Sequence, residues 1–118
     1  MGTFRYPIQI GTPDQGRFEQ VEAWVDSGAA YTWIPAPLLR RLGHTPRFRR
    51  RFRIAHGRFI EREVGLVPIR IGDEVIPTLC VFGDARSEPL LGAFTLEGFG
   101  LGVDPVNRTL VPVVLNML

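Results

Sequence analysis

Phe4, Tyr6, Ile8 and Ile10 alternate with Arg5, Pro7 and Gln9, the period-2 pattern of a strand with one buried face. Gly11-Thr12-Pro13-Asp14-Gln15-Gly16 is a turn cluster, and a second strand follows with Val21, Ala23 and Val25 on one face. Small residues from Asp26 to Ala30 interrupt it before Tyr31-Thr32-Trp33-Ile34 resumes an apolar run. Pro37 to Gly43 has the punctuation of a short helix, proline at the start and glycine at the stop. After Pro46 the pattern predicts a strand to Ile54, a tight turn at Ala55-His56-Gly57-Arg58 and a return strand from Phe59. The centre of that turn needs positive φ, which Gly57 supplies freely and His56 tolerates less well. Val67 to Ile71 and Val75 to Phe82 form a further hairpin about Gly72-Asp73-Glu74, and Gly83 to Pro89 is loop. Leu90-Leu91-Gly92 leads into a short helix from Ala93 to Glu97, and a last hairpin turns at Asp104–Arg108.

With 118 residues, 13 glycines and 10 prolines, this reads as one mainly β domain over residues 1–118 with one or two short helices. No apolar run approaches the ~18 residues of a membrane span, so no membrane association is expected. Met1 to Arg5 lacks a basic start followed by an apolar stretch, so no secretory leader is expected. One cysteine cannot form an internal disulfide, and with the missing leader this points to the cytoplasm.

Charge changes the picture locally. All 14 basic residues are arginine, and Arg47, Arg49, Arg50, Arg51 and Arg53 crowd around Phe48 and Phe52. A solvated, arginine-rich strand is the simpler reading of this run, and contact with an acidic partner is the other.

Chemistry is concentrated at Trp24-Val25-Asp26-Ser27-Gly28-Ala29. Here an apolar strand delivers a carboxylate into a loop of small residues, where it needs a structural partner or a chemical task. Asp14, Asp73, Asp84 and Asp104 stand instead in turn-like sequence. Cys80 lies in an apolar run and reads as a core residue. His44, His56 and Cys80 include no close-spaced pair, so neither a metal nor another cofactor is expected. His44, after Gly43, reads as a helix-end residue.

Val25-Asp26-Ser27-Gly28-Ala29 resembles the D-[TS]-G-A signature of retropepsin-like aspartic proteases. The resemblance extends to the His56-Gly57 hairpin, at the place of that family's flap, and to Leu90-Leu91-Gly92, at its second hydrophobic-hydrophobic-Gly element. It implies a small, closed, β-barrel-like retropepsin (acid protease) fold and an aspartic endopeptidase with Asp26 as the catalytic group. It further implies that Ser27 bonds across a subunit axis, that Gly28 admits the substrate backbone, and that His56 and Gly57 close over it. Ala29, Ile34 and Leu91 are the expected apolar pocket walls. Retroviral members pair an Asp shortly after the motif with an Arg after the second glycine; Ala30 and Ala93 stand at those places here.

Hydrolysis by carboxylates alone needs two of them together, one to take a proton from water and one to protonate the carbonyl oxygen. The chain has a single suitable motif, so a homodimer with its axis beside Asp26 is expected, acting on a peptide or protein. The apolar run 113–118 is expected to be covered at that subunit contact. In the alternative reading the scaffold is a non-catalytic β-module that binds an acidic peptide or nucleic acid through the Arg47–Arg53 patch.

Overall fold

The computed structural model describes residues 4–115. The strands are β1 (Arg5–Gly11), β2 (Phe18–Val25), β3 (Thr32–Pro35), β4 (Phe48–Arg53), β5 (Phe59–Ile71), β6 (Glu74–Gly83), β7 (Leu90–Leu91), β8 (Leu101–Asp104) and β9 (Thr109–Pro112). The helices are α1 (Ala36–Arg41) and α2 (Ala93–Gly98), and a single 3-10 turn spans Ala55–Gly57. Seven strands form one sheet in the order β1-β2-β7-β3-β6-β5-β4, and a further β1–β5 pairing closes it on itself. β8 and β9 form a separate two-stranded ribbon. This is the mainly β fold with two short helices that the sequence pattern predicts.

β5 runs unbroken for 13 residues, joining what the sequence pattern divides between two hairpins. Its first half pairs with β4 and its second half with β1 at Gln9↔Arg70 and Ile10↔Ile69, while β6 runs along its other edge. One long strand therefore serves both the closed ring and the projecting β4–β5 hairpin. At Gly65 a side chain would meet the Phe82 ring at 3.0 Å and the Thr45 carbonyl at 3.3 Å, so the absence of a Cβ lets neighbours approach there.

Ile8, Ile10, Ala23, Val25, Ile34, Leu39, Ile69, Cys80, Phe82 and Leu91 meet inside the ring. A smaller cluster, Tyr31, Val64 and Val81 with Trp33, Phe48, Phe52 and Leu79, lies apart from it. β3 and β6, a parallel pair, contribute alternate residues to the two clusters. That two-sided burial explains their nearly continuous apolar sequence. Burial also pushes the Cys80 thiol far up, keeping it in the unreactive thiol form.

α1 begins with proline in its first turn and stops at Gly43, whose φ of 95° suits glycine. His44 stands at the end of α1, its N–H donating to the Leu39 carbonyl at 2.9 Å, and it is buried: its Nε2 lies 2.6 Å from the Gly11 carbonyl, to which the ring N–H donates. It thereby ties the end of α1 to the end of β1. The last strand ends at Pro112. Val113, Val114 and Leu115 are exposed in the single chain, and the rest of the C-terminal run, residues 116–118, lies outside the described residues, as do residues 1–3. Among the described residues no helix is long and apolar enough to cross a membrane.

Candidate active site

β7, only two residues long, organises the site. It lies parallel to the end of β2, Trp24↔Leu90 and Val25↔Leu91, and antiparallel to the start of β3, Trp33↔Leu90. The Asp26–Tyr31 loop thus leaves β2 and enters β3 on either side of the same strand. Asp26 N–H donates to the Leu91 carbonyl at 3.0 Å, and the turn closes through Ala29 N–H to the Asp26 carbonyl at 3.2 Å. Past β7, Ala93 and Phe94 N–H donate to the Ala29 and Ala30 carbonyls at 2.8 and 2.9 Å. Backbone bonds at Ala30 and Ala93, where the resemblance would place an ion pair, thus join the Asp26 loop to the start of α2.

Gly92 permits this approach. A Cβ there would collide with the Tyr31 carbonyl and come within 3.0 Å of the Ala29 carbonyl oxygen. Its N–H donates to the buried Thr32 hydroxyl at 3.1 Å. Thr32 in turn lies 2.6 Å from Thr95, and Thr95 lies 3.0 Å from Thr78. Sequence reading missed these three threonines: each is a single hydroxyl in an apolar stretch, and Thr32 and Thr95 are 63 residues apart.

Asp26 is partly buried, and its Oδ1 accepts the Gly28 N–H at 2.9 Å. Burial acts to raise its carboxyl, but hydrogen bonds, those of the Gly28 and Ala29 N–H groups among them, outweigh it and hold the group below its ordinary value. The side chain opens onto a cleft of about 610 Å³ lined by Asp26, Gly28, Ala29, Ala30, Tyr31, Trp33, Arg51, Phe52, Arg53, Ile54 and Leu90. One wall is the Asp26 loop and the other is the β4 side of the projecting hairpin. Phe52 bridges the two, its ring centroid 5.6 Å from Tyr31 and 5.2 Å from Trp33.

The expected site residues divide in four ways. Asp26, Gly28 and Ala29 line the cleft. Ser27 points elsewhere, to a second hollow of about 320 Å³ shared with Ala93, Leu96, Glu97, Leu101, Gly102 and Val103. Ile34 and Leu91 are not pocket walls: both are fully buried in the main core, and their neighbours Trp33 and Leu90 face the cleft instead. In each pair both residues are apolar, so hydrophobicity alone could not tell which face each takes.

His56 and Gly57 form the exposed tip of the hairpin, with φ of 64° and 73°, and they lie beyond the cleft lining in this single chain. Among the described residues no three His, Cys, Asp or Glu side chains gather where they could hold a metal.

The arginine-rich run forms β4 and is mostly engaged locally. Arg49 pairs with Glu61 at 3.1 Å and approaches Glu63 at 4.0 Å. Arg50 stacks on Phe48, while Arg51 and Arg53 both stack on Phe59.

Residues 13–94 match the aspartyl protease family. No curated protein sequence matches the chain. Its fold is similar to that of the retroviral protease-like domain of Ddi1 from Leishmania major, with a TM-score of 0.60 and 20% identity over 95% of this chain and 89% of that one. It is also similar to the simian foamy virus (mac) protease, with a TM-score of 0.55 and 16% identity over 80% of this chain and 94% of that one.

Proposed function

Because the chain belongs to the aspartyl protease family, we propose that it is an aspartic endopeptidase whose working form is a homodimer, with Asp26 of each protomer facing its counterpart across the two-fold axis. The observation that carries this reading is the setting of Asp26: one oxygen is oriented by a backbone N–H while the carboxylate opens onto a cleft of peptide-binding size.

Two such carboxylates hold a water molecule between them and share one proton, since like charges that close do not both ionise readily. The ionised member takes a proton from the water as its oxygen attacks the peptide carbonyl carbon. The protonated member gives its proton to the carbonyl oxygen. Collapse of the tetrahedral diol breaks the C–N bond, the nitrogen takes up a proton, and the pair is left with one proton again. No covalent enzyme intermediate arises. Gly28 lets the substrate backbone lie close to the dyad, and Ser27, on the far side of the loop, faces the hollow beside β8 where it can support the partner loop. The hairpin ending at His56 and Gly57 closes over the bound peptide and limits water.

The alternative, a non-catalytic module that binds acidic polymers through Arg47–Arg53, has less support, because Arg49 is already paired with carboxylates of its own hairpin. Purified protein incubated with a peptide library decides the matter. Cleavage by the wild type and none by Asp26→Asn is expected; cleavage that survives the substitution overturns the assignment.

A further inference from the structure

Residues 47–63, the projecting hairpin, hold seven arginines and two glutamates in a chain whose net charge is +2. The hairpin therefore carries more positive charge than the whole protein. The two glutamates are taken: Glu61 binds Arg49 at 3.1 Å and Glu63 binds Arg40 at 2.9 Å. Glu61 stands opposite Arg51 in the β4–β5 ladder, yet its carboxylate is held by Arg49. Arg51 and Arg53 are left with no carboxylate partner among the described residues, and their guanidinium groups lie 4.7 and 5.1 Å from one half-exposed ring, Phe59. Two like charges held at one ring repel each other. Both belong to residues that line the cleft, where the only acidic residue is Asp26.

Resting on the endopeptidase reading, we infer that Arg51 and Arg53 select peptides carrying Asp or Glu beside an apolar scissile segment. The cleft that runs from this stretch of β4 to Asp26 has Tyr31, Trp33, Phe52 and Leu90 in its lining, so the residues at the cleaved bond are apolar and the acidic ones lie further out, where the arginine side chains leave the strand. A planar guanidinium receives a carboxylate through two parallel N–H bonds. A carboxylate brought to this rim also relieves the repulsion between the two arginines. The two-fold axis repeats the pair at the other end of the cleft, so acidic residues are favoured on both sides of the bond.

The test compares peptides identical except for Glu, Gln or Lys at the flanking positions, as kcat/KM ratios within each protein. Wild type is expected to favour Glu over Gln by roughly three- to fivefold per site at low salt, the scale of a partly exposed ion pair, with less preference at high salt. In the Arg51→Gln/Arg53→Gln double variant the ratio falls towards one, while Arg17→Gln, on the β1–β2 turn, keeps it. Equal cleavage of Glu and Gln peptides by wild type, or a preference that persists in the double variant, overturns the inference and leaves the endopeptidase reading intact.

If no peptide is cleaved, the endopeptidase reading fails instead, and the charge preference is read from binding of fluorescent Glu and Gln peptides to Asp26→Asn. Equal binding there overturns it. A single-stranded oligonucleotide that outcompetes the Glu peptide in wild type and loses its affinity in the double variant also overturns it, assigning the arginines to nucleic acid.

Discussion

The hydroxyls of Thr32 and Thr95 meet at 2.6 Å, both fully buried, one on β3 and the other in α2. Gly92 N–H donates to Thr32, and with the hydroxyl protons running from Thr32 to Thr95 to Thr78 each of the two buried hydroxyls both donates and accepts. Thr95→Val keeps the shape of the side chain but leaves the Thr32 proton without its acceptor. Such a buried polar group costs about 1–3 kcal/mol, which for a domain of this size lowers Tm by several degrees. Thr95→Ser, which retains the oxygen, recovers most of the loss. Thermal unfolding of the two variants is the check, and an unchanged Tm in Thr95→Val removes the network from the account of stability.

Glycine is needed at Gly92 and Gly57 for different reasons, and the two substitutions separate them. At Gly92 the obstacle is backbone: the Tyr31 carbonyl and, at 3.0 Å, the Ala29 carbonyl. Those atoms are held by the bonds that join α2 to the Asp26 loop, so they cannot yield without shifting that loop. Gly92→Ala is expected to cost at least the roughly 1–3 kcal/mol typical of overpacking and to move the amide resonances of Asp26 and Gly28. At Gly57 nothing lies within 4 Å of an added Cβ, and only its φ of 73° opposes a side chain. Gly57→Ala costs about 1–2 kcal/mol, with resonance changes confined to the hairpin tip. Equal disturbance of the Asp26 loop by both variants contradicts this division.

The legible parts of this chain were those written in local sequence. Pro37 and Gly43 mark the helix because their backbone preferences act within a few residues, and Asp26 stands out because a carboxylate directly after Trp24-Val25 has to be accounted for. What escaped depended on contacts between distant segments. Trp33 and Ile34, like Leu90 and Leu91, are adjacent apolar residues on strands with cluster or cleft on one side and core on the other. Only the pairing of β7 between β2 and β3 decides which of each two faces the cleft. His44 follows a helix stop, as its neighbours suggest, yet its partner is the Gly11 carbonyl, 33 residues away. The division of β5 into two hairpins failed for a similar reason, since its continuity is set by β6 running beside it.

Asp104 gives the β8–β9 ribbon a pH limit. Its carboxylate accepts bonds from the Asn107 side chain at 2.9 Å and from the Val106 and Asn107 N–H groups at 3.1 Å. These bonds, the Asn107 side chain foremost, hold its carboxyl below the ordinary value of 3.8. A group depressed in the folded state contributes its stability fully above that ordinary value and loses it as pH falls through the depressed one. Acidification from about pH 6 to about pH 2 should therefore weaken the turn, seen as faster hydrogen exchange at Val106 and Asn107 once intrinsic rates are removed. Asp104→Asn should flatten that dependence. Protection that is the same at both pH values in the wild type contradicts the role given to this carboxylate.

Assembly itself should respond to pH through Asp26. In the single chain, burial acts to raise its carboxyl, and hydrogen bonds that include Gly28 N–H bring it below its ordinary value. Each separate protomer is therefore fully ionised there at neutral pH. In the proposed homodimer, opposing two such groups across the axis raises the value for one of them, so that dimer would hold a proton that the separate protomers do not. By linkage, lowering the pH through that raised value tightens the dimer, by up to about tenfold in association constant per pH unit for one proton taken up. Raising the pH above it removes the dependence and leaves the charge repulsion in full. Asp26→Asn has no charge to oppose, so its dimer should be tighter than wild type near neutral pH and indifferent to pH over the same range. Sedimentation equilibrium of both proteins between about pH 4 and pH 7 measures this directly. A flat profile in the wild type, or the same slope in Asp26→Asn, means that the two carboxylates do not share a proton.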